Sequence, residues 1–155
     1  MRMTIKTLLQ DIESKVTEKV PDAEHYRGRL EEGFSRPAFL YLPIYQGEKK
    51  ANCVTSEKNI EVQVIYYGKT DRFGRESFKD RLQVQEDLDE FLSQFYLEAG
   101  DRKLHFTYEW KDADGQMAFY LTFRFLDEAF DLRMLEGEGE KAAESVQVRM
   151  DIEGK

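Results

Sequence analysis

One cysteine, Cys53, stands in a chain of 155 residues. No internal disulfide can form, and a structural zinc site would lack its thiolates. Histidine is nearly as scarce: His25 and His105 lie far apart, and neither has a cysteine or carboxylate at metal-ligand spacing. Basic charge is outweighed, with 23 Lys and Arg against 31 Asp and Glu, a net charge of -8. That balance disfavours nucleic-acid binding through a basic surface and leaves contacts with protein partners open. Long apolar runs are missing too, and the opening M-R-M-T-I-K-T-L-L-Q-D-I-E carries charge before one can build. Neither a signal peptide nor a membrane span is expected, and the expected setting is the cytoplasm in which the chain is made.

Aromatic residues are plentiful by contrast, eleven Phe and eight Tyr, so the chain can build a sizeable core. They concentrate between Lys103 and Leu126. Leu104, Phe106, Tyr108 and Trp110 alternate before a short polar turn, D-A-D-G-Q; Met117, Phe119, Leu121, Phe123 and Phe125 alternate after it. A period of two on both sides of a turn predicts an antiparallel hairpin with one strongly apolar face. Two strands cannot bury that face alone, so the rest of the chain must cover it.

The cover is legible. From Thr4 to Val20, Ile5, Leu8, Leu9, Ile12, Val16 and Val20 recur at helical spacing, with Thr4 as cap and Pro21 at the exit. A second helix is expected over Glu76–Leu97, its inward stripe being Phe78, Leu82, Leu88, Leu92 and Phe95, joined by Phe91 and Tyr96. Strands are expected over Ala38–Ile44 and Asn59–Tyr67, separated by a loop or long extension from Gln46 to Lys58. Pro43 favours an edge or strand end. Asp127–Leu135 is ambiguous and Glu136–Glu144 is acidic and punctuated by glycine. In Ser145–Ile152, Val146, Val148, Met150 and Ile152 alternate again.

The expected fold class is α+β: a two-layer sandwich of a mainly antiparallel four- to five-stranded sheet with two helices on one face. One domain should span residues 1–135. Residues 136–155 read as an acidic C-terminal extension, an added strand or an inter-subunit arm. From Asp127 onward nine acidic residues face four basic ones.

Catalytic chemistry does not emerge. Cys53 lacks a nucleophile-elbow or helix-start context. Glu86, Asp87, Asp89 and Glu90 fit a solvated helix face around inward Leu88. Asp112, Asp114 and Gly115 lack the later ligands of a calcium loop. No metal, no cofactor and no enzyme activity are expected. Binding or assembly remains. The sheet face away from the helices needs water, more chain or another subunit, and Phe39, Tyr41, Ile65 and Tyr67 are the candidates for that side. Arg27, Arg29 and Arg36 form a modest basic patch interrupted by Glu31 and Glu32.

The order of these segments, from the opening helix through H-Y-R-G-R-L-E-E-G-F-S-R-P-A-F-L-Y-L to N-I-E-V-Q-V-I-Y-Y, then a long helix and a hairpin, resembles the tail terminator, or tail completion, proteins of phages and prophages of Gram-positive hosts. The resemblance covers most of residues 1–126, with Gly33, Pro37 and Phe39-Leu40-Tyr41 among its marks; the C-terminal tail departs from it. It implies a ring, commonly hexameric, that caps the head-proximal end of the tail tube, stops its polymerisation and offers a surface for head-tail joining. The implied partners are further copies of the chain, the tail tube protein, a head-completion or connector protein, and the sheath protein, with DNA only passing through the pore and no membrane. The implied location is the host cytoplasm during assembly, then the virion tail or neck. A head-tail connector or neck adaptor is the alternative, and a soluble binding module outside the virion a more distant one.

Overall fold

The computed structural model describes residues 2–129. Thr4 opens α1 (Ile5–Lys19): its hydroxyl accepts from the Thr7 N–H at 3.2 Å, replacing one bond that a helix start lacks. Leu8, Leu9, Ile12 and Val16 are buried along one stripe, as their spacing requires. Six strands follow: β1 (Glu24–Arg27), β2 (Ala38–Lys50) and β3 (Thr55–Tyr67), then, after α2 (Phe78–Leu92), β4 (Tyr96–Ala99), β5 (Arg102–Ala113) and β6 (Gln116–Glu128). They make one sheet in the order β1-β2-β3-β6-β5-β4. β1 runs parallel to β2; every other pairing is antiparallel.

The aromatic hairpin is β5 and β6. Asp114 and Gly115 turn it with φ of 52° and 82°, two consecutive left-handed residues. That two-residue turn matches the twist of the flanking strands, and Asp-Gly is its usual sequence. Leu104, Phe106, Met117, Phe119, Leu121 and Phe123 join one core with the inward stripes of α1 and α2. Both helices therefore cover one face, as expected.

Among the described residues six strands replace the expected four to five. The short β1 lies between the first helix and Ala38, where no strand was expected, and β4 begins in what was expected to be the end of the second helix. Helix α2 stops at Leu92, and Phe95 turns the chain with φ of 62°, a costly conformation for a bulky residue. Glycine is the usual signal for such an exit, and Gly100 instead turns β4 into β5. The buried stripe of α2 is Val84, Leu88, Phe91 and Leu92; Phe78 and Leu82, expected inward, are 73% and 48% exposed.

The segment Gln46–Lys58 is no loop. β2 continues to Lys50 and β3 begins at Thr55, paired through Lys50↔Ser56, while β6 follows β3 out to Thr55↔Glu128. A three-stranded ribbon thus extends past the helices, and backbone pairing holds it where side-chain periodicity is faint. Pro43 sits inside β2 beside a register shift between Pro43 and Tyr45, beyond the reach of β1. Residues 130–155 lie outside the described residues, and with them the expected extension 136–155, the alternation at Ser145–Ile152 and the ambiguous segment Asp127–Leu135 after Ala129.

Candidate assembly surfaces

The seven residues singled out for assembly do not form one surface. β2 pairs with β3 through Phe39↔Tyr66, Leu40↔Ile65, Tyr41↔Val64 and Ala38↔Tyr67. Paired residues share a face, so Phe39 and Tyr41 stand with Tyr66 and Val64 under the helices, whereas Ile65 and Tyr67 stand with Leu40 and Ala38 on the opposite side. Phe39 and Tyr41 are fully buried. Their expected place on the helix-free face is corrected: β2 is apolar at both parities, and its register with β3 decides which set turns inward.

Tyr41 has an internal partner. His25 lies between α1 and β2, with Nδ1 2.9 Å from the Tyr41 hydroxyl and Nε2 2.9 Å from Thr17 Oγ1. Thr17 already donates to the Glu13 carbonyl at 2.7 Å, so His25 Nε2–H donates to Thr17 and Nδ1 accepts from Tyr41. Burial lowers the His25 pKa and raises that of Tyr41, which keeps both groups neutral at pH 7. Nothing in the spacing of His25 announced this bridge.

On the helix-free face, Leu40, Ile65 and Ala118 form a second, smaller apolar cluster, with Tyr26, Leu30, Leu42, Tyr67 and Tyr120 packed around it. The loop between β1 and β2 folds over one end. Phe34 meets Tyr67 edge-on at 5.4 Å, and the Arg36 guanidinium lies over both rings at 5.2 and 5.7 Å. Arg36 also donates to the Gly68 carbonyl at 2.8 Å and pairs with Glu76 at 3.2 Å. Burial raises the Tyr67 pKa. Arg36 is thus built into the subunit, and Arg27 pairs with Glu13 at 2.8 Å; Arg29 is exposed. The three arginines do not converge on one site.

The ribbon of β2, β3 and β6 is anchored near its tip, where Asp127 pairs with Ser56, by a buried ion cluster that the sequence did not suggest. Asp127, its side chain wholly inaccessible, pairs with Lys58 at 2.9 Å and Arg102 at 3.1 Å, and accepts the Met3 N–H at 2.7 Å. Lys58 also donates to the Met3 carbonyl, and Arg2 forks onto Glu48 at 3.1 Å. Burial opposes ionisation of Asp127, but the Lys58 ammonium and the Met3 and Glu128 amides outweigh it and hold the carboxyl at about 2. The ribbon carries exposed Val54 at its tip and exposed Ile44 and Tyr45 nearer the body of the sheet.

The residues weighed for chemistry stay scattered. Cys53 is exposed in the turn between β2 and β3, His105 is exposed on β5, and Glu90 pairs with Lys19. Among the described residues no three His, Cys, Asp or Glu are placed to share a metal ion. No described helix is long and apolar enough to cross a membrane.

A family model described as phage tail terminator protein matches residues 7–132. No curated protein sequence matches. One solved chain aligns with a TM-score of 0.42 at 12% identity, covering 83% of this chain and 97% of that one. The family match runs from the first turn of α1 past the end of β6, taking in the aromatic hairpin, the clamped ribbon and the helix-free face together: the chain belongs to the phage tail terminator family.

Proposed function

We propose that the protein works as a ring, six copies being the expected number, that caps the head-proximal end of a phage tail tube. The ring stops addition of further tube protein and presents its other surface to the head-completion proteins. The family match over residues 7–132 carries this reading. The shape of the sheet supports it. Its two sides differ: short β1 flanks one and short β4 the other, and among the described residues each pairs with only the start of its long neighbouring strand. Unlike sides favour head-to-tail contacts, which close into a ring when the rotation between copies divides a full turn.

In this reading the extended ribbon and the helix-free face supply contacts to tube, head or neighbour. Tyr67 and Arg29 are the candidates for those contacts, with Ile65 buried on Tyr67's face of the sheet and Arg27 and Arg36 shaping the surface around them. The net charge of -8 suits a channel through which DNA slides without sticking. No step in such a role needs a catalytic group or cofactor.

The test is to add the full-length protein to purified tail tubes and then supply fresh tube protein. Electron microscopy should show a ring at one end and tubes that no longer lengthen. Uncapped tubes that elongate at the unblocked rate under saturating protein would overturn the proposal. A monomer in free solution would not, because a ring can close on its target.

A further inference from the structure

The connection from β3 to α2 carries an ordered turn. Thr70 and Glu76 bridge across it. Between them the Asp71 N–H donates to the Arg75 carbonyl at 2.9 Å and the Gly74 N–H to the Asp71 carbonyl at 3.0 Å. Asp71 Oδ1 accepts the Phe73 and Arg75 amides at 2.8 and 3.0 Å, so one carboxylate closes the turn from inside. Glu76, its side chain buried, ties the base to the body: it accepts the Gly68 N–H and pairs with Arg36 at 3.2 Å and Arg81 at 3.4 Å.

The side chain that this turn displays is apolar. Phe73 is 66% exposed, and the Arg72 and Arg75 guanidiniums lie over its ring at 5.0 and 5.3 Å. Among the described residues Arg72 has no carboxylate partner, and Arg75 reaches only Asp71, at 4.0 Å between two exposed side chains. Aromatic and arginine side chains are the usual anchors of protein interfaces, and a turn already ordered loses little freedom on docking. The net charge of -8, with Asp71 at the centre of the turn, disfavours nucleic acid as the partner. The complement of this turn is an apolar spot flanked by carboxylates.

Such a spot stands on α2. Leu82, Glu86 and Asp89 are spaced i, i+4 and i+7, so they lie in one line along the helix, and all three are exposed. Of the neighbouring carboxylates, Asp87 accepts from Gln83 at 2.9 Å and Glu90 from Lys19. The Glu86 and Asp89 side chains have no partner among the described residues. Phe73 and Leu82 both remain exposed in the subunit, so the turn and the helix face do not cover each other within one chain.

We infer that the Arg72–Arg75 turn of one copy docks on the α2 face of the next, with Phe73 on Leu82 and the two arginines on Glu86 and Asp89. Two open cations then meet two open carboxylates, and an exposed ring meets an exposed leucine. The choice of the next copy in a ring rests on the proposed function, because a donor and a separate acceptor on each subunit are what head-to-tail assembly requires.

Photo-cross-linking tests this in the full-length chain. With Phe73 replaced by p-benzoylphenylalanine, illumination of the protein on tail tubes should give a ladder of linked subunits, the link mapping by mass spectrometry to residues 82–89. Arg72→Glu with Arg75→Glu should abolish the ladder, and adding Glu86→Arg with Asp89→Arg should restore it. All four side chains are exposed, so the circular dichroism should not change. A ladder that survives the arginine replacement, or a swap that does not restore it, would overturn the pairing. Links found only within one chain, to the tube protein or to DNA, or no link at all, on tubes seen to be capped, would overturn the docking and leave the capping role intact. Linked pairs that never extend to a third copy would keep the docking and remove the ring. A ladder formed by protein that fails to stop elongation would keep the docking and remove the cap.

Discussion

The two faces of the sheet are made by the same strands and do opposite work. In β3, Ile60, Val62, Val64 and Tyr66 are buried under two helices; on the other face Glu61, Gln63 and Tyr67 are half-exposed, and Ile65 is buried in the smaller cluster. The covered face joins α1, α2 and all three long strand pairings in one core. The open face has only a small cluster, shielded at one end by Phe34 and Arg36. Stability therefore concentrates on one side, and the other is free to carry contacts whose loss would leave the subunit folded.

The largest effect should come from charging the covered face. Phe123 is fully buried and lies 5.4 Å from Phe106, ring to ring. Removing such a side chain costs about 3–5 kcal/mol, and a buried carboxylate adds its desolvation. Phe123→Asp should leave no soluble folded protein in an expression and circular dichroism assay; a folded variant would break the comparison at its root.

Next comes Asp127, which ties the ribbon to the N-terminal segment. Asp127→Ala leaves Lys58 buried without its carboxylate and should cost about 3–5 kcal/mol in urea unfolding. Its depressed pKa also sets a sign. A carboxyl lowered from 3.8 to about 2 contributes its full stability above about pH 4 and loses it as the pH falls through 2. The wild type should thus lose stability steeply over that window, and the variant less so.

A matched pair sharpens the contrast. Phe39→Ala, beneath the helices, should cost about 3–5 kcal/mol, whereas Tyr67→Ala, on the open face, should cost about 1 kcal/mol. Tyr67→Asp should still fold but fail to cap tubes. Equal losses of folding at the two positions would erase the division between faces. The smallest effect should be at Arg29: Arg29→Ala should shift stability by less than about 0.5 kcal/mol, so any loss of capping there would report a contact outside the subunit.

How far these features could be read from residues alone varies with the range of the interactions behind them. α1 and the β5–β6 hairpin were legible because cap, period and turn are local: Thr4, the Leu8–Val16 stripe and Asp114-Gly115 each act within a few residues. The shortness of α2 was not, because its exit uses Phe95 in a conformation that aromatic residues rarely adopt. β1 and β4 are four residues each, too short for a period to declare itself. Phe78 and Leu82 looked inward because leucine and phenylalanine at helical spacing suit a core, and their exposure became visible once the position of β5 was known.

The candidate surfaces depended still more on distant partners. Ala38–Leu42 is apolar at both parities, so alternation alone allowed either face to be the covered one; pairing of Phe39 with Tyr66 resolved it. Likewise Gln46–Lys58 read as a loop or long extension because its side chains are polar on both sides, and β6 and the Asp127 cluster hold much of it in strands. Composition and local period were enough to establish an α+β subunit with an aromatic hairpin under helices, since hydrophobic burial acts on each segment separately. Which residues face outward, and which strand edge stays open, was settled by register between segments far apart in the chain, where a shift of one residue exchanges the two faces.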